Sequence, residues 1–344
     1  MPDIMTDRSE RDAFVNDVAA RRGVAAWVIE KDLWVCWTLA RLHEIDGIPQ
    51  LTFKGGTSLS KVHGLIERFS EDIDLTFSRD GWNFVGERDP LSAGLSGKKR
   101  QALVDEIGER SATVVRDVVV PELRAMCTRD LGASGWRVEV DDVDRQAVLF
   151  TFPDPVATYG YGQPQVKVEF GARGDPWPTS RRTIVSYIEE THGGTTPTAT
   201  VEVIALEPER TFWEKVTLLH ALHHGTRAKP DKNVHRLSRH VYDVHRIWNT
   251  PKLRTSILSA KLLRAVVENK QIFFRETKAR YELVTNFELN CAPHDDLAAA
   301  MRADFAAMGS MFFPASPVPT FDEALATLKE IEEIVASWKT APPA

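Results

Sequence analysis

Apolar residues recur at helical spacing at the start of the chain. Phe14, Val15 and Val18, then Trp27, Val28, Leu33, Trp34, Trp37 and Leu39, predict helix from Asp7 to Ile45. The pattern then shortens. Leu51 to Phe53 reads as a brief strand and Gly55-Gly56 as a tight turn with dihedrals that side chains would forbid. Leu59, Val62 and Leu65 or Ile66 form the apolar stripe of a following helix, which Thr57 or Ser58 can cap. From Asp72 the period is two. Ile73, Leu75 and Phe77 alternate with Asp72, Asp74 and Ser78, so one strand face is apolar and the other carries both aspartates.

Ser78 to Lys98 is a polar, glycine-bearing loop. An amphipathic helix then runs from Lys99 to about Val120, where Pro121 breaks or restarts it. Trp136 to Val140 and Gln146 to Phe152 read as a hairpin. In Gln165 to Phe170 the apolar Val166, Val168 and Phe170 face the core and put Lys167 and Glu169 on the other face. If that strand neighbours the aspartate strand, Glu169 stands beside Asp72 and Asp74. Pro176-Trp177-Pro178 marks a turn, and strands are expected around Arg182 to Ile188 and Thr198 to Leu206.

Beyond Glu207 the pattern is helical throughout. Pro208 suits a first helical position, Phe212, Val216, Leu219 and Leu222 repeat at helical spacing, and Gly225 ends that helix at about His224. Further helices are expected over Asn233 to Trp248, Leu253 to Glu268, Asp295 to Met308 and Phe321 to Trp338. The fold class is therefore α+β: a mixed sheet with flanking helices in residues 1–206 and a helical domain in residues 207–344.

Composition narrows the function classes. With 344 residues, 43% of them hydrophobic, the chain can bury a substantial core. Its longest apolar runs, around Val114 to Val120, fall far short of the roughly 20 residues that span a bilayer, and Met1 to Glu10 is too polar for a signal peptide. Cys36, Cys127 and Cys291 lack C-x-x-C spacing, which argues against a disulfide framework or thiolate zinc site and fits a reducing cytoplasm. A net charge of −6 argues against nonspecific coating of nucleic acid but leaves room for a local basic groove.

The chemistry concentrates in Phe53-Lys54-Gly55-Gly56-Thr57-Ser58-Leu59-Ser60-Lys61 and in Ser70-Glu71-Asp72-Ile73-Asp74-Leu75. The turn offers backbone N–H groups to a phosphate. Asp72 and Asp74, two residues apart on a strand, are separated by roughly 7 Å and can converge on a divalent cation. An isolated Asp-x-Asp would read as an edge strand with solvated acids; the Gly-Gly-Thr-Ser turn just before it favours a site. Strand, turn, helix and Asp-x-Asp strand together resemble the core motif of the nucleotidyltransferase superfamily.

Other clusters are less specific. Lys215 sits on or beside the apolar stripe of its helix, at i,i+3 and i,i+7 from Leu218 and Leu222, where it can enter a cleft or snorkel to solvent. Arg239 and Asp243 share a helix face, as an ordinary intrahelical ion pair would. His220 and His224 have the i,i+4 spacing of two zinc ligands, but no glutamate lies between them and no third ligand is indicated. With His223, His235, His240, His245, Arg227, Lys229, Lys232, Arg236, Arg239 and Arg246 they read more simply as a basic surface suited to RNA phosphates. Gly97-Lys98-Lys99 lacks the spacing of a P-loop.

The chain resembles the AbiEii-type nucleotidyltransferase toxins of bacterial toxin-antitoxin and abortive-infection systems. Four features carry the resemblance: Ile29-Glu30-Lys31-Asp32-Leu33-Trp34; the glycine turn with its Asp-x-Asp strand; Val166-Lys167-Val168-Glu169; and two C-terminal patches. The patches are Leu206-Glu207-Pro208-Glu209-Arg210-Thr211-Phe212-Trp213-Glu214-Lys215 and Arg239-His240-Val241-Tyr242-Asp243, where His240-Val241 replaces the family's usual acidic residue before the aromatic.

The resemblance implies transfer of a nucleoside monophosphate from a nucleoside triphosphate (NTP) to an RNA acceptor, the tRNA 3' end, with loss of pyrophosphate and arrest of translation. It implies that Asp72, Asp74 and Glu169 hold one or two Mg2+ ions, or Mn2+, and that Gly55, Gly56, Thr57 and Ser58 cradle the β- and γ-phosphates. Lys61, Lys215 or both would neutralise the leaving group, Lys167 and Arg239 would join in nucleotide binding, and Asp243 would orient Lys215 or serve the acceptor side. A cognate antitoxin is the implied partner. A small-molecule or protein hydroxyl as acceptor, and a binding module of the same fold without catalysis, are the alternatives.

Overall fold

Asp7 starts the first helix because its carboxylate accepts the otherwise unpaired N–H groups of Ser9 and Glu10. This helix, α1 (Arg8–Arg22), ends at Gly23, whose φ of 66° only glycine adopts without strain. The expected helical preface is thus two helices, the second being α2 (Ala26–Leu42), buried from Val28 onwards. The computed structural model describes residues 4–159, 163–196, 199–225, 236–313, 317–341 and 343.

The chain divides into two compact units. One contains Met1–His63 and Phe69–Leu206; the other contains Gly64–Arg68, Glu207–Phe312 and Ser316–Ala344. Inclusion of the short Gly64–Arg68 segment in the second unit departs from a single boundary at Glu207.

The first unit is built on a seven-stranded mixed sheet of order β3-β4-β5-β2-β1-β7-β6. The strands are β1 (Leu51–Lys54), β2 (Ile73–Phe77), β3 (Arg137–Val140), β4 (Ala147–Thr151), β5 (Gln165–Gly171), β6 (Thr179–Ile184) and β7 (Val201–Leu206). Central β2 runs antiparallel to β1 and parallel to β5. The adjacency assumed for Glu169 is therefore present, with Asp74 opposite Glu169.

β5 alternates between buried and half-buried residues along its whole length, as its period of two predicts. Against the sheet packs α2, where Trp34 stacks on Phe152 and Trp37 on Phe150 with ring centroids 5.2 and 5.4 Å apart.

Of the two outcomes expected at Pro121, the restart is the one observed: α4 (Gly97–Val114) passes through a π-helical turn, Val115–Val119, and resumes as α5 (Val120–Leu131). Pro121 is the second residue of α5, directly after that π-helical turn, and has no N–H to donate to the preceding turn of helix. The strand expected to reach Ile188 stops at Ile184. Ser186 accepts the Glu189 N–H at 3.1 Å and caps α6 (Tyr187–His192), a Ser-x-x-Glu start signal that the apolar alternation obscured.

The second unit is helical. It contains α7 (Pro208–His223), α8 (Arg239–Trp248), α9 (Arg254–Ile257), α10 (Ala260–Phe273), α11 (Tyr281–Thr285), α12 (Asp295–Ala307) and α13 (Phe321–Ser337). The single helix expected over Leu253 to Glu268 is split, because Leu258 leaves helical dihedrals and Ser259 caps a new start. Among the described residues no helix is long and apolar enough to cross a membrane.

Candidate nucleotidyl-transfer site

β1 leads directly into the seven-residue α3 (Gly55–Lys61), so the glycine turn is the junction of strand and helix. Gly55 has φ +78°, and a Cβ built on it would lie 1.9 Å from Asp74 Oδ2. The Asp74 carboxylate therefore packs against the bare α-carbon of the turn, and any side chain there would have to displace it or move the turn.

Expected capping by Thr57 or Ser58 is absent: Lys54 takes the cap position without a side-chain bond. The Thr57 hydroxyl instead donates to the Asp72 carbonyl at 2.5 Å and lies 3.0 Å from Ser70 Oγ, tying the turn to the start of the aspartate strand. Ser58 Oγ is buried and has no hydrogen-bond partner among the described residues.

Three charged residues in succession on the buried helix α2 support this frame. Glu30 accepts the Val156 and Ala157 N–H groups and the Tyr159 hydroxyl, at 2.9, 3.0 and 3.1 Å. Lys31 donates to Glu71, the neighbour of Asp72, at 2.5 Å. Asp32 accepts the Tyr187 N–H at 2.6 Å and forms an ion pair with Lys61 at 2.9 Å. Sequence reasoning noted this Glu-Lys-Asp run but gave it no role. Its signal was three adjacent charges in an otherwise apolar helix, which cannot all reach solvent when the helix is enclosed.

Lys61, expected on the phosphates, is paired with Asp32. Its side chain is 4% exposed, its ammonium sits 3.7 Å from the Tyr187 ring centroid, and Asp32 pairs with it. Burial alone would favour the neutral amine, but the opposing charge of Asp32 holds it protonated.

Glu169, expected as a third metal ligand, bonds Lys167 at 2.9 Å, and Lys167 also reaches Asp141 at 3.4 Å. Among the described residues no group of three or more His, Cys, Asp or Glu side chains is placed to hold a metal ion. Asp72 and Asp74 offer carboxylate oxygens, the donor type that suits Mg2+, which is commonly held by one or two carboxylates completed by substrate phosphates.

In the helical unit, Lys215 on α7 and Asp243 on α8 meet at 2.9 Å. Arg68 grips the same carboxylate with two bonds of 2.8 Å, and both side chains are fully buried. Burial opposes ionisation of Asp243, but the charges of Arg68 and Lys215 outweigh it and hold the carboxyl below its usual range.

Among the described residues no ion pair joins Arg239 to Asp243, so the expected intrahelical pair is replaced by one with Arg68, which sequence reasoning did not consider. His240 has its Nδ1 3.3 Å from the Lys215 ammonium. Burial, then the Lys215 charge, keep this ring neutral, so its Nδ1 can accept from the lysine.

Within the described residues, His220 and His223 of the histidine cluster are held by backbone groups. His220 accepts the Asn290 N–H on Nδ1 and donates from Nε2 to the Arg280 carbonyl, so neither nitrogen is available to zinc. His223 donates to the Ala292 carbonyl at 2.7 Å. Arg227, Lys229, Lys232 and His235 of the expected basic patch lie outside the described residues.

Burial pushes His220 down to about 4, so the folded chain binds fewer protons there than the unfolded chain does. Its contribution is whole above the ordinary histidine value of about 6.5 and declines as pH falls towards 4, by about 3 kcal/mol. Urea unfolding at pH 7.5 and pH 5 is expected to show lower stability at pH 5, with His220→Gln flattening the difference.

The model of one protein family, described as nucleotidyl transferase AbiEii toxin of a type IV toxin-antitoxin system, matches residues 37–327. The chain belongs to this family. It is a nucleotidyltransferase of the AbiEii toxin type, as the four motif segments taken together led one to expect.

Among solved structures, this AbiEii chain is similar to the nucleotidyltransferase toxin MenT4 from Mycobacterium tuberculosis, with 17% identity over 95% of this chain and 98% of that one and a TM-score of 0.46. It is also similar to JHP933 from Helicobacter pylori, with 10% identity over 92% and 94% of the two chains and a TM-score of 0.42. No curated protein matches.

Proposed function

We propose that this AbiEii toxin transfers a nucleoside monophosphate from an NTP to an RNA acceptor, the 3' end of tRNA, and so blocks translation until a cognate antitoxin counteracts it. The observation that carries the reading is the packing of the Asp74 carboxylate against the Gly55 α-carbon, which fits a phosphate turn and an acid strand to one another.

Asp72 and Asp74 would hold Mg2+ or Mn2+, and Glu169 would join them only by exchanging Lys167. When bound, such an ion polarises the α-phosphate and lowers the proton affinity of the acceptor hydroxyl. The backbone N–H groups of Gly55 to Ser58 face the triphosphate, and the buried Ser58 hydroxyl has a hydrogen bond to give. The acceptor oxygen bonds to the α-phosphorus, the α–β bridging P–O bond breaks, pyrophosphate leaves and the hydroxyl proton passes to solvent. Lys215 and Asp243 act as one unit, with Asp243 orienting the ammonium.

Incubation with Mg2+, each labelled NTP and total tRNA tests the reading. Label on RNA that disappears in Asp72→Asn and Asp74→Asn, a loss of roughly 1,000-fold or more, is expected. No carboxylate-dependent label on tRNA or any other RNA would refute it, and label on a small molecule or protein would assign the acceptor there.

A further inference from the structure

We infer that Lys54 is the cation that holds the triphosphate tail, a role for which the more conspicuous Lys61 and Lys167 are already committed. The inference rests on the nucleotidyl-transfer reading above and adds a residue to it.

Lys54 is the last residue of β1, and its α-carbon pairs with that of Asp74 on β2, which in turn pairs with Glu169 on β5. The three residues form one row across adjacent strands. Side chains directly opposite one another share a sheet face, with Cβ atoms about 4.5–5.5 Å apart in an antiparallel pair. Lys54 therefore rises on the face that carries Asp74, one residue before the glycine that the Asp74 carboxylate covers.

The remaining lysines of this neighbourhood are accounted for. Lys61 is buried against Asp32 and the Tyr187 ring. Lys31 is taken by Glu71 and Lys167 by Glu169 and Asp141. Lys54 is half-buried, and its ammonium makes no ion pair or hydrogen bond among the described residues. A triphosphate brought to a turn flanked by Asp72 and Asp74 adds several negative charges where two already stand. A cation in the same row offsets that repulsion in a poorly solvated setting, where it acts most strongly.

The chemistry follows from the position. As the acceptor oxygen bonds to the α-phosphorus and the α–β bridging P–O bond breaks, the electron pair stays on the departing β-phosphate oxygen. The Lys54 ammonium neutralises that growing charge and keeps its own proton. Lys54 is thus a catalytic residue in the strict sense, in contact with substrate, whereas Lys61 positions α3 through Asp32.

The test compares Lys54→Met, Lys54→Arg and Lys61→Met in the full chain. Transfer kinetics, calorimetric binding of Mg2+ pyrophosphate and thermal unfolding are the readouts. Lys54→Met is expected to lose roughly 100-fold in kcat/KM for NTP and to bind pyrophosphate about tenfold more weakly, with unfolding temperature unchanged. Lys54→Arg recovers most of both, and Lys61→Met lowers the unfolding temperature.

Wild-type kinetics and pyrophosphate affinity in Lys54→Met would overturn the inference and leave the nucleotidyl-transfer reading standing. Weakened pyrophosphate binding in Lys54→Met, alongside a wild type that labels no acceptor, would support the phosphate contact and sink the proposed reaction. If Lys54→Met fails to fold, Lys54→Arg decides: pyrophosphate affinity near wild type supports the inference, and a loss matching that of Asp74→Asn overturns it. A wild type that neither transfers nor binds pyrophosphate would overturn both.

Discussion

Gly55→Ala is expected to lower nucleotidyl transfer by about 100-fold or more while far-UV circular dichroism stays that of the wild type. The added methyl group would sit 1.9 Å from Asp74 Oδ2 and 2.7 Å from its Cγ, well inside contact distance. Either the Asp74 side chain swings away or the turn moves back, and each changes the spacing between carboxylate and phosphate. The φ of +78° adds the usual strain of an L-residue in left-handed backbone, about 1–2 kcal/mol. Gly23→Ala separates the two effects. Gly23 has φ +66° with nothing within 4 Å of the added carbon, so that variant bears the strain alone and should stay active. Transfer by Gly55→Ala within a few-fold of wild type would show that the contact with Asp74 does not set the catalytic geometry.

Asp243→Asn is expected to destabilise the helical unit by about 3–5 kcal/mol, a large part of the about 5–15 kcal/mol that holds a typical domain together. Asp243 is fully buried and neutralises two cations, Arg68 through paired 2.8 Å bonds and Lys215 at 2.9 Å. An asparagine keeps the shape and loses the charge, leaving two buried cations facing each other without an anion. Lys215→Met added to Asp243→Asn removes one of them and should recover part of the loss, which a double-mutant cycle of urea midpoints measures. Loss of toxicity in Asp243→Asn alone therefore does not assign a chemical role, and soluble yield must accompany it. Unfolding of Asp243→Asn at the wild-type midpoint would refute this account of the cluster.

Local pattern and chemistry made much of the site readable. Glycine at the turn, the period of two through Ile73, Leu75 and Phe77, and the alternation of Val166, Val168 and Phe170 each follow from steric or hydrophobic rules acting within a few residues. The observed strands and turn occupy these segments. What misled was charge. Lys61 stands close to the motif in sequence and looks like a phosphate ligand, yet its partner Asp32 comes from α2, an element with its own apolar pattern. Likewise Arg239 lies four residues from Asp243, but the carboxylate is gripped by Arg68, far away in sequence. Periodicity locates faces and says nothing about which faces meet. Ser186 was legible in principle through its spacing to Glu189, and was overridden by the apolar residues around it.

The sequence by itself determined the type of enzyme: a strand, a glycine turn and two aspartates on one face stand in the order of a nucleotidyltransferase core, and the family match agrees. Only the tertiary structure decided which charges remain for that chemistry. It set Asp74 between Lys54 and Glu169 in one row of the sheet, and it withdrew Lys61, Lys167 and Arg68 into ion pairs. The reason is physical. A Coulomb interaction depends on distance and burial, and for residues far apart along the chain both are fixed only when the strands pair and the helices close over them.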